Sequence, residues 1–321
     1  IYYFSLTETN NKMDKGNGTT VTEFILVGLS EIPEIQQYLF CIFLGIYIIT
    51  VLGNASIILI YKFSPSLHTP MYYFLSNFSF LEICYVSASS PKMLQNMLVE
   101  KKTISFYCCF TQIYSIVHLA GTEFYVLAAM AYDRYNAICH PLLYRIIMNN
   151  RVCAQLIAGS WVIGAANSLV HTLLTHTLSF CSNKVNHIFC DVPPLLKLAC
   201  TDTWINQIVM YMVGGSVTGG AFILIIISYT HILSTILTIH SASGRKKAFS
   251  TCTSHLTVVT IFYGSIFFIY LRPKSSYAMH HDRLVAIMYT IVAPLLNPFI
   301  YSLRNNDVKA AVRKLLNRRI L

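Results

Sequence analysis

MAYDRYNAICHPLLY, residues 130–144, follows a long apolar run and changes character abruptly at Asp133-Arg134. An acid and an arginine at the end of an apolar helix sit where lipid gives way to water, and they cost far less there than at the bilayer centre. Adjacent residues do not share a helix face, so Arg134 is free to point along its helix toward other spans. The plainer alternative is an interfacial anchor whose guanidinium reaches the headgroups.

The rest of the chain decides what that helix is part of. Of its 321 residues, 55% are hydrophobic and 11% are charged, where a soluble domain has about a quarter charged. The apolar residues gather into seven blocks: Leu39–Tyr61, Met71–Leu98, Phe106–Tyr135, Val152–Leu174, Asn206–Thr238, Ala248–Leu271 and Leu284–Ser302. Each can cross a hydrocarbon core of about 30 Å as a helix. The expected fold is an all-α membrane protein, a seven-transmembrane helix bundle with a short amphipathic C-terminal helix. The division is residues 1–38, an extracellular N-terminal segment; 39–302, the bundle; and 303–321, the cytoplasmic helix and tail. Residues 1–12 precede Met13 and read as an upstream extension.

An odd number of spans puts the ends on opposite sides. With the N-terminus outside, 13 Lys and Arg fall inside and 10 outside, and the inner segments hold only Asp133 and Asp307 against those bases. The formal charge of +10 therefore belongs to a cytoplasmic face meeting anionic lipid, not nucleic acid. Asn17-Gly18-Thr19 is a glycosylation sequon in a polar segment, which fits an outer location.

Polar residues inside the spans need a reason. Glu82 lies in the second and Glu123 in the third, where each carboxylate costs about 2.5–3.5 kcal/mol on insertion scales. Glu123 and Arg134 share a helix face about 16 Å apart. A proton- or ion-binding cluster is one reading; protonated glutamates bonded to hydroxyls are the other. Asn54 in the first span needs partners from other helices. His118 reads as a packed or pocket histidine rather than a metal ligand, and no metal site is expected. In the sixth span Tyr263, Ile266, Phe267 and Tyr270 follow helical spacing. In the seventh, Pro294 and Pro298 remove backbone donors, and Asn297 and Tyr301 face one way. Val308, Val312, Leu315 and Leu316 oppose Lys309, Arg313 and Lys314, the pattern of an interfacial helix. Five of the ten cysteines, Cys108, Cys109, Cys181, Cys190 and Cys200, fall outside. They allow two disulfides whose pairing spacing leaves open.

Together these residues resemble the olfactory receptors, a branch of the rhodopsin-like G-protein-coupled receptors. The resemblance rests on Gly53-Asn54, LHTPMYYFLSNFSFLE at 67–82, MAYDRYNAICHPLLY at 130–144, Ser228-Tyr229, KAFSTCTSHL at 247–256 and PLLNPFIYSLRNNDVK at 294–309. It implies that Arg134 is a switch arginine contacting a G protein, that Asp133 restrains it at rest, and that Tyr135, Tyr229, Asn297, Pro298 and Tyr301 belong to the same switch. It implies the bridges Cys109–Cys190 and Cys181–Cys200. Glu82 and Glu123 match the acidic pair at the level of a sodium site, a candidate sodium or proton site; aspartate is usual at the first position. Tyr263 stands where many receptors carry a tryptophan. Asn136 and Cys108 depart from the family pattern, replacing an apolar residue and a glycine.

The function this implies is an odorant receptor. A small volatile ligand would bind in the outer half of the bundle against Ile116, Val117, Ala120, Gly121, Val213, Val217, Tyr263, Ile266, Tyr270 and Thr290. These walls are mostly apolar, and span three has no acid there to anchor an amine. The partners implied are the odorant, membrane lipid and a stimulatory olfactory heterotrimeric G protein that raises cyclic AMP at the plasma membrane. Rival readings are a secondary transporter or proton carrier using Glu82 and Glu123, and a chemoreceptor expressed outside the nose. An internal repeat would favour the transporter, and none is visible. An enzyme would need a nucleophile–base or metal constellation, and none stands out.

Overall fold

The computed structural model describes residues 21–29, 32–270, 278–302, 308–311 and 313. Asn17 and the tail residues Val312, Lys314, Leu315 and Leu316 lie outside the described residues. Among the described residues, seven long helices form a bundle: Pro33–Phe63, Pro70–Leu98, Phe106–Cys139, Asn150–His176, Trp204–Thr238, Ala242–Tyr270 and Ala278–Ser302. They are called here the first to the seventh. Five are long and apolar enough to cross a membrane by length and hydropathy. The second is diluted by Ser, Asn, Glu82 and Pro91, and the sixth by its polar start ASGRKK, yet both run full length beside the others.

The helices overrun the apolar blocks because the chain continues helical after it leaves lipid. The first begins at Pro33, six residues before the block, with its proline in the first turn, where a missing N–H costs nothing. Ser105 caps the third helix and Asn149 the fourth, each accepting from an amide of the first turn. A short helix, Tyr144–Ile147, joins those two on the inner side.

The third helix is the axis of the bundle. About two-thirds of its apolar window is buried, against 22% for the first helix. Its crossing with the fourth depends on small residues. A methyl built on Gly121 would stand 3.1 Å from the Gly164 Cα, and one on Gly164 would run into Thr122 and the His118 carbonyl. Backbones this close are a membrane device, because van der Waals packing replaces the hydrophobic drive. Ser168 adds a hydrogen bond to the Tyr114 carbonyl at 2.6 Å. Gly121 therefore faces the fourth helix, and its assignment to the ligand wall is corrected. The third helix has two inward faces, and spacing alone cannot tell which neighbour each meets.

Pro298 sets the packing of the seventh helix. Lacking an N–H, it leaves the Pro294 carbonyl without its helical donor. The Asn54 amide of the first helix donates to that carbonyl at 3.3 Å and to the Thr50 carbonyl at 3.0 Å. Gly53 makes the approach feasible, since a methyl there would stand 3.2 Å from the Pro298 Cβ. A π turn at Met288–Val292 precedes the two prolines and re-aims the outer half of the helix.

The outer end carries a cap that hydropathy did not suggest. Strand β1, Glu23–Leu26, pairs antiparallel with β2, Thr103–Ser105, and parallel with β3, Lys184–Val185. Phe24 and Leu26 are fully buried with Ile104, Ile113 and Leu195. Cys109 is bonded to Cys190, and Cys181 to Cys200. Gly28 adopts φ +67°, in the left-handed region that favours glycine. Its carbonyl accepts from Arg283 of the seventh helix at 2.8 Å, and Arg283 also donates to Asn186 of the long outer loop. His187 beside it is buried, and desolvation lowers its imidazole to about 4.

Gly164→Ala should lower the thermal midpoint of the purified protein by the equivalent of about 1–3 kcal/mol, because the clash is with backbone. Gly159→Ala, with open space around its Cβ, is the control and should leave it unchanged. Asn54→Ala should destabilise by about 1–3 kcal/mol through the orphaned Pro294 carbonyl. Asn54→Asp, which keeps the shape but not the donor, should be no better; recovery with Asp would count against the hydrogen bond.

Candidate functional site

The inner end brings together residues distant in sequence. Arg134 is buried and lies within electrostatic reach of Tyr229, Cys252, His255 and Tyr301, on the fifth, sixth and seventh helices. Its neighbour Asp133 takes its hydrogen bond from a different element. The Asp133 carboxylate accepts from the Tyr144 hydroxyl at 2.7 Å, and no ion pair with Arg134 forms among the described residues. Arg134 stays within electrostatic reach of Asp133, so the hydrogen bond to Tyr144 adds to that pairing rather than replacing it. Successive residues are about 100° apart around a helix, so Asp133 meets the inner loop helix while Arg134 meets the bundle axis.

His255 is the residue that the sequence reading passed over, although it lies in the quoted KAFSTCTSHL stretch. It is completely buried and ties three helices. Its Nε2 faces the Leu127 carbonyl of the third helix at 3.0 Å, and its Nδ1 the Tyr229 hydroxyl of the fifth at 2.8 Å. A carbonyl only accepts, so Nε2 carries the proton, and Tyr229 donates to Nδ1 in the neutral ring. The Tyr229 and His255 rings stack with centroids 5.7 Å apart. The signal that could have revealed His255 was an ionisable ring within the sixth span, eight residues before Tyr263 of the aromatic stripe.

The remaining inner residues extend the network. Tyr135 contacts His140 through its hydroxyl at 3.0 Å and sits 5.7 Å from the His231 ring. Asn136 is buried, donating to the Tyr132 carbonyl at 2.8 Å and touching the Met148 sulfur at 3.9 Å. Tyr301 packs edge-on against Phe78, and Ser254 donates to the Ile300 carbonyl at 3.2 Å.

At mid-membrane, Asn297 donates to Glu82 Oε1. Glu123 lies within electrostatic reach of Glu82. Glu82 Oε2, Asn54 Oδ1 and the Tyr301 hydroxyl are buried without hydrogen-bond partners among the described residues. Each is held away from water with hydrogen-bonding capacity unused.

In the outer half, Tyr263 is buried between Phe124, Phe222 and Phe262, with centroids 5.4, 4.8 and 6.1 Å away. Its hydroxyl has no partner among the described residues. Ile116 and Thr290 are buried, and the Thr290 hydroxyl is engaged by the Ala286 carbonyl at 2.6 Å. Ala120, Val217 and Ile266 are half-buried against the same core. Val117 packs into the outer cap instead, and Val213 lies half-buried on a π turn at Met210–Gly214. The Tyr270 side chain lies outside the described residues. His118 stacks edge-on with Trp161 at 5.4 Å, so it faces the fourth helix. A crevice between the first two helices and the outer loop, lined by Leu29, Leu39, Met93, Asn96 and Ile188, lies away from these walls. No group of three or more metal-ligating side chains occurs among the described residues.

Comparison with known proteins agrees with this architecture. Residues 40–319 match the family model described as olfactory receptor. The chain is 52% identical over 302 residues to olfactory receptor 5AP2 of Mus musculus, covering 94% of this chain and 95% of that one. It is 52% identical over 305 residues to olfactory receptor 5I1 of Homo sapiens, covering 95% and 97%. Among solved structures, squid rhodopsin superposes with a TM-score of 0.70 at 16% identity, covering 88% of this chain and 81% of that chain, a likeness of fold. With a family match across nearly the whole bundle and relatives at half identity, the chain belongs to the olfactory receptor family.

Proposed function

We propose that this multi-pass membrane protein binds small volatile molecules in the outer half of its bundle and answers by activating a stimulatory olfactory G protein that raises cyclic AMP. The observation that carries the reading is the inner cluster. Arg134 is sheltered among Tyr229, His255 and Tyr301, so three helices meet on one charged side chain. A ligand that favours a different packing of those helices uncovers Arg134 to an inner partner. The pocket walls are Ile116, Ala120, Val217, Tyr263 and Ile266, linked to the cluster by the rigid third and sixth helices. Tyr263 lies two turns above His255 on the sixth helix, so a ligand pressing on it moves the tie to Tyr229.

Glu82 and Glu123 would hold a sodium ion or a proton beneath this pocket. The unpartnered Glu82 Oε2 supports that reading. A bound cation would supply charge neutralisation there, and Asn297, which donates to Glu82 Oε1, would orient that carboxylate. An extracellular N-terminus is supported by the disulfides. Both lie at the end of the bundle that carries β1, and bonded cysteines belong on the oxidising side. Cys139, Cys153 and Cys252 toward the other end are free.

In cells expressing the chain with the olfactory G protein, Arg134→Ala should abolish odorant-driven cyclic AMP at unchanged surface expression. A retained response removes the switch assignment. Tyr229→Phe and His255→Phe should each change the ratio of basal to odorant-driven signal. The double variant should change it little more than His255→Phe alone, because both singles remove the same hydrogen bond. Additive effects would show that the two residues act separately.

A further inference from the structure

The crevice between the first two helices and the outer loop lies apart from the ligand walls and has a carboxamide at its base. Met93, Asn96 and Ile188 are buried there, and Leu29, Leu39 and Met97 are half-buried nearer the mouth. Empty space in the crevice and at its mouth amounts to about 320 Å³, the small end of ligand sites. Asn96 is 4% exposed, and neither its amide oxygen nor its amide nitrogen has a hydrogen-bond partner among the described residues. Asn54, Asn77 and Asn136 show the usual alternative. Each donates to the carbonyl one turn before it in its own helix, at 3.0, 2.8 and 2.8 Å. Asn96 stands in the last turn of the second helix and makes no such bond. A donor and an acceptor are thus left unused side by side at the base of a largely apolar crevice.

We propose that this crevice is a second ligand site, distinct from the outer-half pocket, and that it takes a short apolar molecule ending in a primary carboxamide or a lactam. Such a group carries a carbonyl beside an N–H, as the Asn96 side chain does. Its N–H is donated to Asn96 Oδ1, and its carbonyl accepts from Asn96 Nδ2. Both atoms of the asparagine are then satisfied at once, in a place where leaving them dry is costly. A carboxylate or an ester only accepts, and an ammonium only donates, so each leaves one atom unmet. The ligand's apolar body meets Leu29, Leu39 and the flexible side chains of Met93 and Met97, which adapt to its shape. Ile188 lies two residues before the bridged Cys190, on the loop tied to the third helix. A ligand seated here joins the first two helices to that loop and so stabilises the outer end. Lys102 also lines the crevice, close to Gly28, and marks the rival chemistry, an anion held by its ammonium.

The test uses the full chain, purified in detergent at neutral pH, with pentanamide, N,N-dimethylpentanamide, pentanoate and pentylamine. The readout is the ligand-dependent rise in thermal midpoint, which needs no signalling partner. Pentanamide should raise the midpoint saturably, and the other three should raise it much less. Asn96→Leu keeps the volume and removes both polar atoms. Its ligand-free midpoint should hold or rise, and its affinity for pentanamide should fall by about thirtyfold, the equivalent of two ordinary hydrogen bonds. Leu39→Trp fills the crevice and leaves Asn96 in place. It should weaken pentanamide to a similar degree, and it decides the matter if Asn96→Leu does not fold. Pentanoate preferred over pentanamide would move recognition to Lys102 and overturn the assignment. Equal shifts with all four compounds, or a pentanamide shift that both variants retain, overturn it as well. A lower ligand-free midpoint in Asn96→Leu, with no pentanamide shift in the parent protein, would show that Asn96 holds structural water only and would end the proposal.

Discussion

A proline at position 298 withholds a hydrogen-bond donor from the Pro294 carbonyl in the interior of a membrane. Water is not there to replace it, so another helix must. Asn54 does so, and Gly53 clears the space for it. This requirement locks the first and seventh helices together and fixes the rotation of the seventh. Asn297 then faces Glu82, and Tyr301 faces Phe78 and the inner cluster. Much of the polar interior follows from where that one carbonyl points.

The same logic runs along the third helix. From outside inward it presents Cys109 and Gln112 to the outer loop, Glu123 to Glu82, the Leu127 carbonyl to His255, and Arg134 to the inner tyrosines. Gln112 shows how closely the cap is joined to the bundle: its oxygen accepts from the Cys190 amide and its nitrogen donates to the Ala88 carbonyl, both at 3.0 Å. Lipid faces the remaining surfaces, where Leu52, Val162 and Leu237 are exposed. Exposed large apolar residues would be a liability in water; here they are the solvated surface.

The long motifs were legible because membrane burial leaves few reasons for a polar residue. Arg134, Glu82, Asn54, Asn297 and Tyr229 stood out against apolar runs; all are buried, the last four hydrogen-bonded to another helix and Arg134 within electrostatic reach of three. The seven spans were legible from hydropathy, but their ends were not, since a helix continues past the lipid boundary wherever caps and propensity allow. Gly121 looked like a wall by spacing and proved to be a packing residue. Asp133 was expected from the family resemblance to restrain Arg134; it lies within reach of Arg134, and the hydrogen bond to Tyr144 came from the fold alone. Strand β1 was invisible, because a four-residue strand leaves no periodic signal.

Composition and motif order in this chain determined a seven-helix membrane bundle and its family, for a physical reason: the bilayer admits few backbone solutions, and each apolar block must adopt one of them. What each side chain faces was decided only in three dimensions. His255 between Tyr229 and Leu127, Gly164 against the third helix, and the long outer loop tied to the third helix by Cys109–Cys190 are relations between segments 26 to 128 residues apart. Periodicity reports that a helix has a buried face; only the packed bundle assigns that face a neighbour.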